Sequence, residues 1–241
     1  MNVYFLLEET TMALSRTEID TRYMDAKKYI QTNNLIINDS KIYLFLKRAL
    51  DIFGATMGLI ILSPLFLVVS ILIKLEDPKE NIIFKQIRVG KNGKKFYIYK
   101  FRSMVSNAEQ LLDGLLDKNE TTGPMFKIKE DPRITRIGHF IRKTSIDELP
   151  QLINVLKGDM SLVGPRPPLP REVNEYSDYD TQRLLVQPGC TGLWQVSGRS
   201  NVGFEQMVEY DLEYIKNRSM FKDIKIILIT FLQLIWSRGA Y

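Results

Sequence analysis

Residues 52–73 read IFGATMGLIILSPLFLVVSILI, an uncharged apolar run long enough to qualify as a transmembrane helix by length. Its centre argues against a simple crossing. Proline at position 64 lacks the backbone donor that a helix interior needs and clashes with the preceding turn, so Ser63 and Pro64 predict a kink. Each half is then about eleven residues, roughly 16 Å at ~1.5 Å per residue, or half of a hydrocarbon core of about 30 Å. Lys47 and Arg48 precede the run, and Lys74, Lys79, Lys85 and Arg88 follow it, so the charge bias assigns neither flank to the outside. The residues alone leave two forms open. One is a bent helix that enters and leaves by the same face; the other is a kinked spanning helix satisfied by partners.

Around this segment the chain has the composition of a folded protein. It has 241 residues, 45% of them apolar, which is enough for one substantial core with attachments. A single cysteine, Cys190, excludes an internal disulfide, and with only one histidine, His139, the chain lacks the usual ligands of a structural zinc site. Such cysteine usage fits a reducing compartment. The net charge of +5, from 33 basic and 28 acidic residues, favours anionic partners only mildly. The N-terminus MNVYFLLEETT has no basic start and meets two glutamates early, so it does not resemble a signal peptide.

Residues 1–40 are mixed and polar, with a helical pattern near Thr17 to Ile30 and no evident chemistry. Residues 41–80 hold the apolar segment, and residues 81–241 form the remaining, catalytic-sized portion. Within it, Ile82 to Phe101 carries two apolar runs around GKNG at 90–93, whose Asn92-Gly93 pair predicts a β-hairpin. A polar helix-like stretch follows at Asn107 to Leu116. Asp131-Pro132 reads as a helix start, with Ile134, Ile137 and Ile141 at helical spacing. The stretch 221–236, FKDIKIILITFLQLIW, is dense in apolar residues but too short to span, and suits either an interfacial helix with Trp236 at headgroup level or a buried core helix. No phosphate cradle of the GxxxxGK[ST] or GxGxxG type is present. Aromatic and basic residues are not interleaved on any nucleic-acid module, so no nucleic-acid partner is expected.

The chemistry concentrates at residues 142–151, RKTSIDELPQ. Ser145 followed three residues later by Glu148 predicts a capping box, with Asp147 and Glu148 in the first turn of a helix whose apolar face is Leu149, Leu152, Ile153 and Leu156. A helix start stabilises negative charge and attracts phosphate, and Arg142 and Lys143 lie just upstream. An ionised aspartate beside a cation-held phosphate is a credible nucleophile. Its neighbour Glu148 is a credible ligand for a divalent ion. Acidic first turns are also common as purely structural features.

Read together, KFRSM (100–104), DPRITRIG (131–138), RKTSIDELPQLINVLKGDMSLVGPRP (142–167) and QPGCTGLWQVSGRS (187–200) closely resemble the bacterial sugar transferases, the monotopic phosphoglycosyl transferases. The resemblance runs from about Lys47 to the C-terminus. It implies an α+β, mostly helical monotopic membrane protein with a re-entrant hairpin broken at Ser63 and Pro64, a small β-hairpin and interfacial helices. It implies transfer of a sugar 1-phosphate from a UDP-sugar to polyprenol phosphate, with release of UMP, at the cytoplasmic face of a bacterial plasma membrane, to initiate a lipid-linked glycan. By the same resemblance Asp147 is the nucleophile, Glu148 the Mg²⁺ ligand, and Arg142 and Lys100 phosphate-binding cations. Pro165, Arg166 and Pro167 shape the nucleotide pocket. Arg199 reads equally as a surface charge and as a further phosphate-binding cation. Trp194 reads equally as core, and Asp211, in DLEYI, as a structural cap or ion pair. Larger relatives carry spanning helices and a further domain ahead of this portion, whereas here about forty polar residues precede it, which implies a minimal form. The donor sugar and any homo-oligomerisation stay open. A non-catalytic membrane adaptor is the competing reading, and it predicts that Asp147, Glu148, Arg142 and Lys100 lie scattered in space.

Overall fold

The computed structural model describes residues 37–126, 128–198 and 202–236. The expected helix at Thr17 to Ile30, Arg199 and the side chain of Trp236 lie outside the described residues.

Two helices carry the apolar segment: α1 (Lys41–Ile61) and α2 (Ser63–Glu76), bent by 59° at the break. The sequence causes the break locally. Pro64 sits in the first turn of α2, where a missing N–H costs nothing, and the Ser63 hydroxyl donates to the carbonyl of Ile60 at 2.8 Å. Among the described residues no single helix is long and apolar enough to cross a membrane.

Helix α1 is amphipathic in the inverse sense. Its buried positions are Tyr43, Lys47, Asp51 and Ala55, one stripe at four-residue spacing, while Ile42, Phe45, Phe53, Ile60 and Ile61 are exposed. The polar stripe is fully used. Lys47 Nζ lies 3.0 Å from Asp223 Oδ2 and donates to the Val163 carbonyl at 2.9 Å, Tyr43 donates to Asp223, and Asp51 accepts from Ser161 and from the amide of Leu162. Arg48 donates to the carbonyls of Val155 and Leu156. Lys47 and Arg48, read from sequence as flank charges that favour neither side, are therefore both engaged within the protein, Lys47 buried and Arg48 half-buried.

Strands β1 (Ile83–Val89) and β2 (Lys95–Phe101) form the expected antiparallel hairpin, with Asn92 at φ 59° and Gly93 at φ 77° turning the chain. Asn107 to Leu116 forms turns that run into a 3₁₀ stretch at Asp113–Lys118, not an α-helix. Asp131-Pro132 does not open a helix either. Asp131 accepts from the backbone and side chain of Arg133, and α3 (Arg136–Lys143) begins after Thr135, whose hydroxyl accepts from the amide of Gly138. Glu76, the last residue of α2, accepts from the free amides of Arg136 and Ile137, so the membrane-like hairpin caps α3 directly.

Helix α4 (Gln151–Lys157) leads to β3 (Ser161–Val163), which pairs in parallel with β4 (Gly189–Thr191). Between these strands lie the short helices α5 (Pro170–Asn174) and α6 (Asp178–Thr181); after them come α7 (Leu193–Ser197), α8 (Phe204–Asn217) and α9 (Met220–Trp236). The main core gathers Val89, Val163, Val173, Val208, Tyr214, Ile215 and Ile226 from five of these elements and the segments beside them. A second cluster joins Ala55 of α1 to Phe96, Ile98, Val155 and Met160. A third joins Val69 and Ile73 of α2 to Phe101 and Ile141. Helix α9 repeats the pattern of α1, burying Asp223 and Ile226 while Phe221, Leu228, Phe231 and Leu232 stay exposed.

Candidate active site

The carboxylate pair sits in a turn that departs from the sequence expectation. Ser145 is left-handed at φ 57° and its side chain makes no capping hydrogen bond, so there is no capping box. Asp147 and Glu148 occupy a 3₁₀ turn (Ile146–Glu148), and α4 starts three residues later, behind Pro150. A non-glycine residue at positive φ is held there by its surroundings and is a frequent mark of functional sites. Here it lets the chain turn between α3 and α4, with Ile146 packed on the Ile141 and Phe101 cluster. Asp147 is buried at 7% exposure; the Glu148 side chain is 45% exposed.

Lys100 reaches this turn from β2, with Nζ 2.5 Å from Glu148 Oε1. The rest of KFRSM explains why it points there. Phe101 is core and packs edge-on against Phe66 of α2 at 5.4 Å, Arg102 donates to the Asn81 carbonyl at 2.7 Å and lies 3.4 Å from Glu80, and Met104 bridges to Ile134. The Ser103 carbonyl accepts from the amide of Thr135, and the backbone of Gly138 comes so near that a Cβ there would lie 2.0 Å from that oxygen. DPRITRIG is thus the clamp that fixes the end of β2. On the other side, Asn154 of α4 acts as a surrogate strand, accepting from Tyr99 N and donating to Tyr97 O.

The electrostatics follow from this packing. Burial pushes the Asp147 carboxyl up to about 6; Glu148 pushes the same way, while Lys100 and Arg142 oppose it. Glu148 is held below the ordinary glutamate range by Lys100, Arg166 and Arg88, against a desolvation cost. Four cations from four separate elements therefore act on one carboxylate pair: Lys100 from β2, Arg142 from α3, Arg88 from β1, and Arg166 from the loop after β3. Cys190 is half-buried, and desolvation, with Glu148 and Asp51 acting the same way, pushes its thiol well up, which disfavours the thiolate.

Pro165, Arg166 and Pro167 lie in that loop, which rests against the start of β4. Gly164 and Gly189 pack backbone on backbone, since a Cβ on Gly189 would lie 2.0 Å from Gly164 N. Asp211 forms the ion pair anticipated for it, 2.7 Å from Arg183. Trp194 is half-buried against the main core. Two contributors were not legible in sequence. Arg88 looked like a flank charge after the apolar segment, and Arg183 carried no motif; only the alternation of strand β1 hinted that Arg88 shares a face with the partner of Lys100, Phe84.

Among the described residues no group of three or more acids, histidines and cysteines converges as a metal cage. That does not exclude Mg²⁺, which is commonly held by one or two carboxylates together with substrate phosphate oxygens. The half-exposed, ionised Glu148 beside Asp147 fits that donor set.

Fold and site together define the class: an α+β protein whose long helices turn polar residues inward and apolar ones outward, around a cation-lined carboxylate pair. Sequence comparison places it more narrowly. The bacterial sugar transferase profile matches residues 42–237, and the chain belongs to that family. It is 51% identical over 201 residues to galactosyl transferase CpsE of Streptococcus agalactiae, covering 82% of this chain and 44% of that protein. It is 46% identical over 213 residues to the undecaprenyl-phosphate galactose phosphotransferase of Salmonella typhimurium, covering 87% and 44%. Against the exopolysaccharide production protein ExoY of Rhizobium meliloti it is 38% identical over 199 residues, covering 81% and 88%. The chain thus spans under half the length of the first two relatives and most of the third.

Proposed function

We propose that the protein is a phosphoglycosyl transferase that moves a sugar 1-phosphate from a UDP-sugar to polyprenol phosphate, releasing UMP. The observation that carries this reading is the convergence of Lys100 and Arg142 on the Asp147 and Glu148 turn. A non-catalytic adaptor has no use for a buried carboxyl kept beside a second acid at the expense of its own ionisation. The names of the relatives from Salmonella typhimurium and Erwinia amylovora, the latter a UDP-galactose-lipid carrier transferase, support the same chemistry.

In the first half-reaction an Asp147 carboxylate oxygen attacks the phosphorus that bears the sugar. The bond from that phosphorus to the UMP oxygen breaks, and UMP leaves as an anion. In the second, an oxygen of polyprenol phosphate attacks the same phosphorus, and Asp147 departs as carboxylate. Lys100, Arg142 and Arg166 offset the negative charge gathered on the phosphoryl oxygens. Glu148 would hold Mg²⁺ together with the substrate phosphates, and that ion would supply Lewis-acid withdrawal of charge from the phosphoryl oxygens.

The setting suits a lipid acceptor. Phe101 adjoins Lys100 and packs on α2, and α3, capped by Glu76 of α2, leads directly into the turn. We read the α1–α2 pair as a re-entrant membrane hairpin and the exposed apolar side of α9 as lying in the same interface, at the cytoplasmic face. On that reading the catalytic turn lies alongside α2, near Phe66 and Val69, where a soluble nucleotide and a lipid phosphate can meet. The test is UMP release by purified protein across a panel of UDP-sugars with Mg²⁺ and polyprenol phosphate. Release with one or a few donors that Asp147→Ala abolishes is expected. Full velocity in the Ala variant refutes the reading.

A further inference from the structure

The loop at 165–168, PRPP, has prolines at three of four positions, so it is rich in acceptors and nearly devoid of donors. All four of its carbonyls are nonetheless bonded. Pro165 O accepts from Gly189 N at 2.8 Å and Pro168 O from Val89 N at 2.9 Å. Arg166 O accepts from Arg183 at 3.4 Å, and Pro167 O from Arg88 Nη1 at 3.0 Å. Two of the four donors are buried guanidinium groups, and they differ in one respect. Arg183 has its charge balanced by Asp211 at 2.7 Å. Arg88 has no carboxylate within ion-pair distance among the described residues; its Nη2 donates to the neutral amide of Gln86 at 2.9 Å, and its buried Nε has no acceptor.

A carbonyl requires a donor, not a charge. Keeping a cation with no carboxylate in ion-pair contact at 6% exposure is costly; Arg166 close by adds repulsion, which the more distant Glu172 and Glu148 offset only in part. Burial first, then Arg166, pulls the Arg88 guanidinium down to about 10. The charge is nevertheless felt at the site, since Arg88 is among the groups that hold Glu148 ionised. Arg88 also lies on the face of the β-hairpin that carries Lys100, because it pairs with Phe96 and Lys100 pairs with Phe84, four residues along β1.

We infer that Arg88 is a positioning residue for the diphosphate of the nucleotide donor: it clamps the loop that carries Arg166, and the substrate's phosphates add negative charge to a cation that has no ion-pair contact among the described residues. The inference rests on the nucleotide-sugar reading above. Arg88 does not touch the phosphates; it sets where Arg166 stands and adds a positive field behind it.

Two variants of the full chain separate this role from mere support. Arg88→Gln keeps an N–H donor for Pro167 O and removes the charge, while Arg88→Lys keeps the charge and loses the fork. UDP binding is read without turnover, from the rise in melting temperature with UDP concentration, alongside donor KM and kcat. Arg88→Gln is expected to melt no lower than wild type without ligand, yet to bind UDP roughly tenfold more weakly, about 1.4 kcal/mol, with donor KM raised in parallel and kcat less affected. Arg88→Lys is expected to retain more of the UDP affinity while melting lower. Wild-type UDP affinity and KM in Arg88→Gln overturn the inference. So does a loss of affinity that tracks a fall in unliganded melting temperature in both variants, and so does a wild-type protein that does not bind UDP. Arg88-dependent UDP binding by a wild-type protein that transfers from no UDP-sugar would instead sink the proposed function and leave this inference standing.

Discussion

Replacing Asp147 with asparagine should abolish transfer and, at the same time, stabilise the fold. Asp147 is buried and its carboxyl sits near 6 rather than 3.8, chiefly because burial disfavours the charged form. Between those values the folded protein holds a proton that the unfolded chain has released. Stability therefore falls as pH rises through that window and stays lower above it. A difference of about two units corresponds to roughly 3 kcal/mol at ~1.4 kcal/mol per unit, lost once the carboxylate is ionised in the fold. Asparagine has the same shape without the charge, so it recovers much of that at pH 8 and little at pH 4, where Asp147 is already protonated. For a chain of this size the gain at pH 8 amounts to about 4–10 °C in melting temperature. The assay is thermal unfolding of wild type and Asp147→Asn in the same detergent or nanodisc at both pH values. A variant that melts at or below wild type at pH 8, or shifts equally at both, would show that Asp147 is not a strained ionised carboxyl.

Other perturbations probe the frame around the site. Lys47→Met leaves Asp223 buried among tyrosine hydroxyls without its cation, and should cost about 3–5 kcal/mol in a denaturant titration. Gly138→Ala forces a methyl against the Ser103 carbonyl; a loss of about 2–4 kcal/mol is expected, with a slower first half-reaction because Lys100 moves with that strand end. The rate of UMP release with saturating donor should fall as pH drops through the region near 6, where Asp147 takes up its proton, and the fall should be absent from a step that does not use Asp147. Tags at Met1 and Tyr241 should both be protected from an impermeant reagent in sealed right-side-out cells, and labelling of Met1 alone would establish a spanning helix.

What the sequence disclosed, and what it hid, follows the range of the interactions. The break at Ser63-Pro64 and the hairpin around Asn92-Gly93 were legible because proline and positive-φ residues act within one turn. The Asp131-Pro132 and Ser145 signals misled for the opposite reason. Each has a local hydrogen-bonding pattern that fits a helix start, but Arg133 captured Asp131, and the turn between α3 and α4 placed Ser145 in a left-handed conformation. The inward polar stripe of α1 could not be assigned from sequence, because Lys47 finds Asp223 176 residues away. The acids and their cations were named from motifs, yet their convergence depends on contacts such as Lys100 with Glu148, and the part played by Arg88 became visible only once the 165–168 loop lay against β1.

The most direct measurement of the central claim is the intact mass of the purified protein after brief exposure to its UDP-sugar and Mg²⁺ without lipid acceptor, followed by mapping of the modified peptide. One added sugar phosphate on the peptide bearing Asp147, absent from Asp147→Asn and discharged by polyprenol phosphate, is the predicted result. An enzyme that turns over acceptor while its mass never changes, or that carries the adduct on another residue, would contradict it.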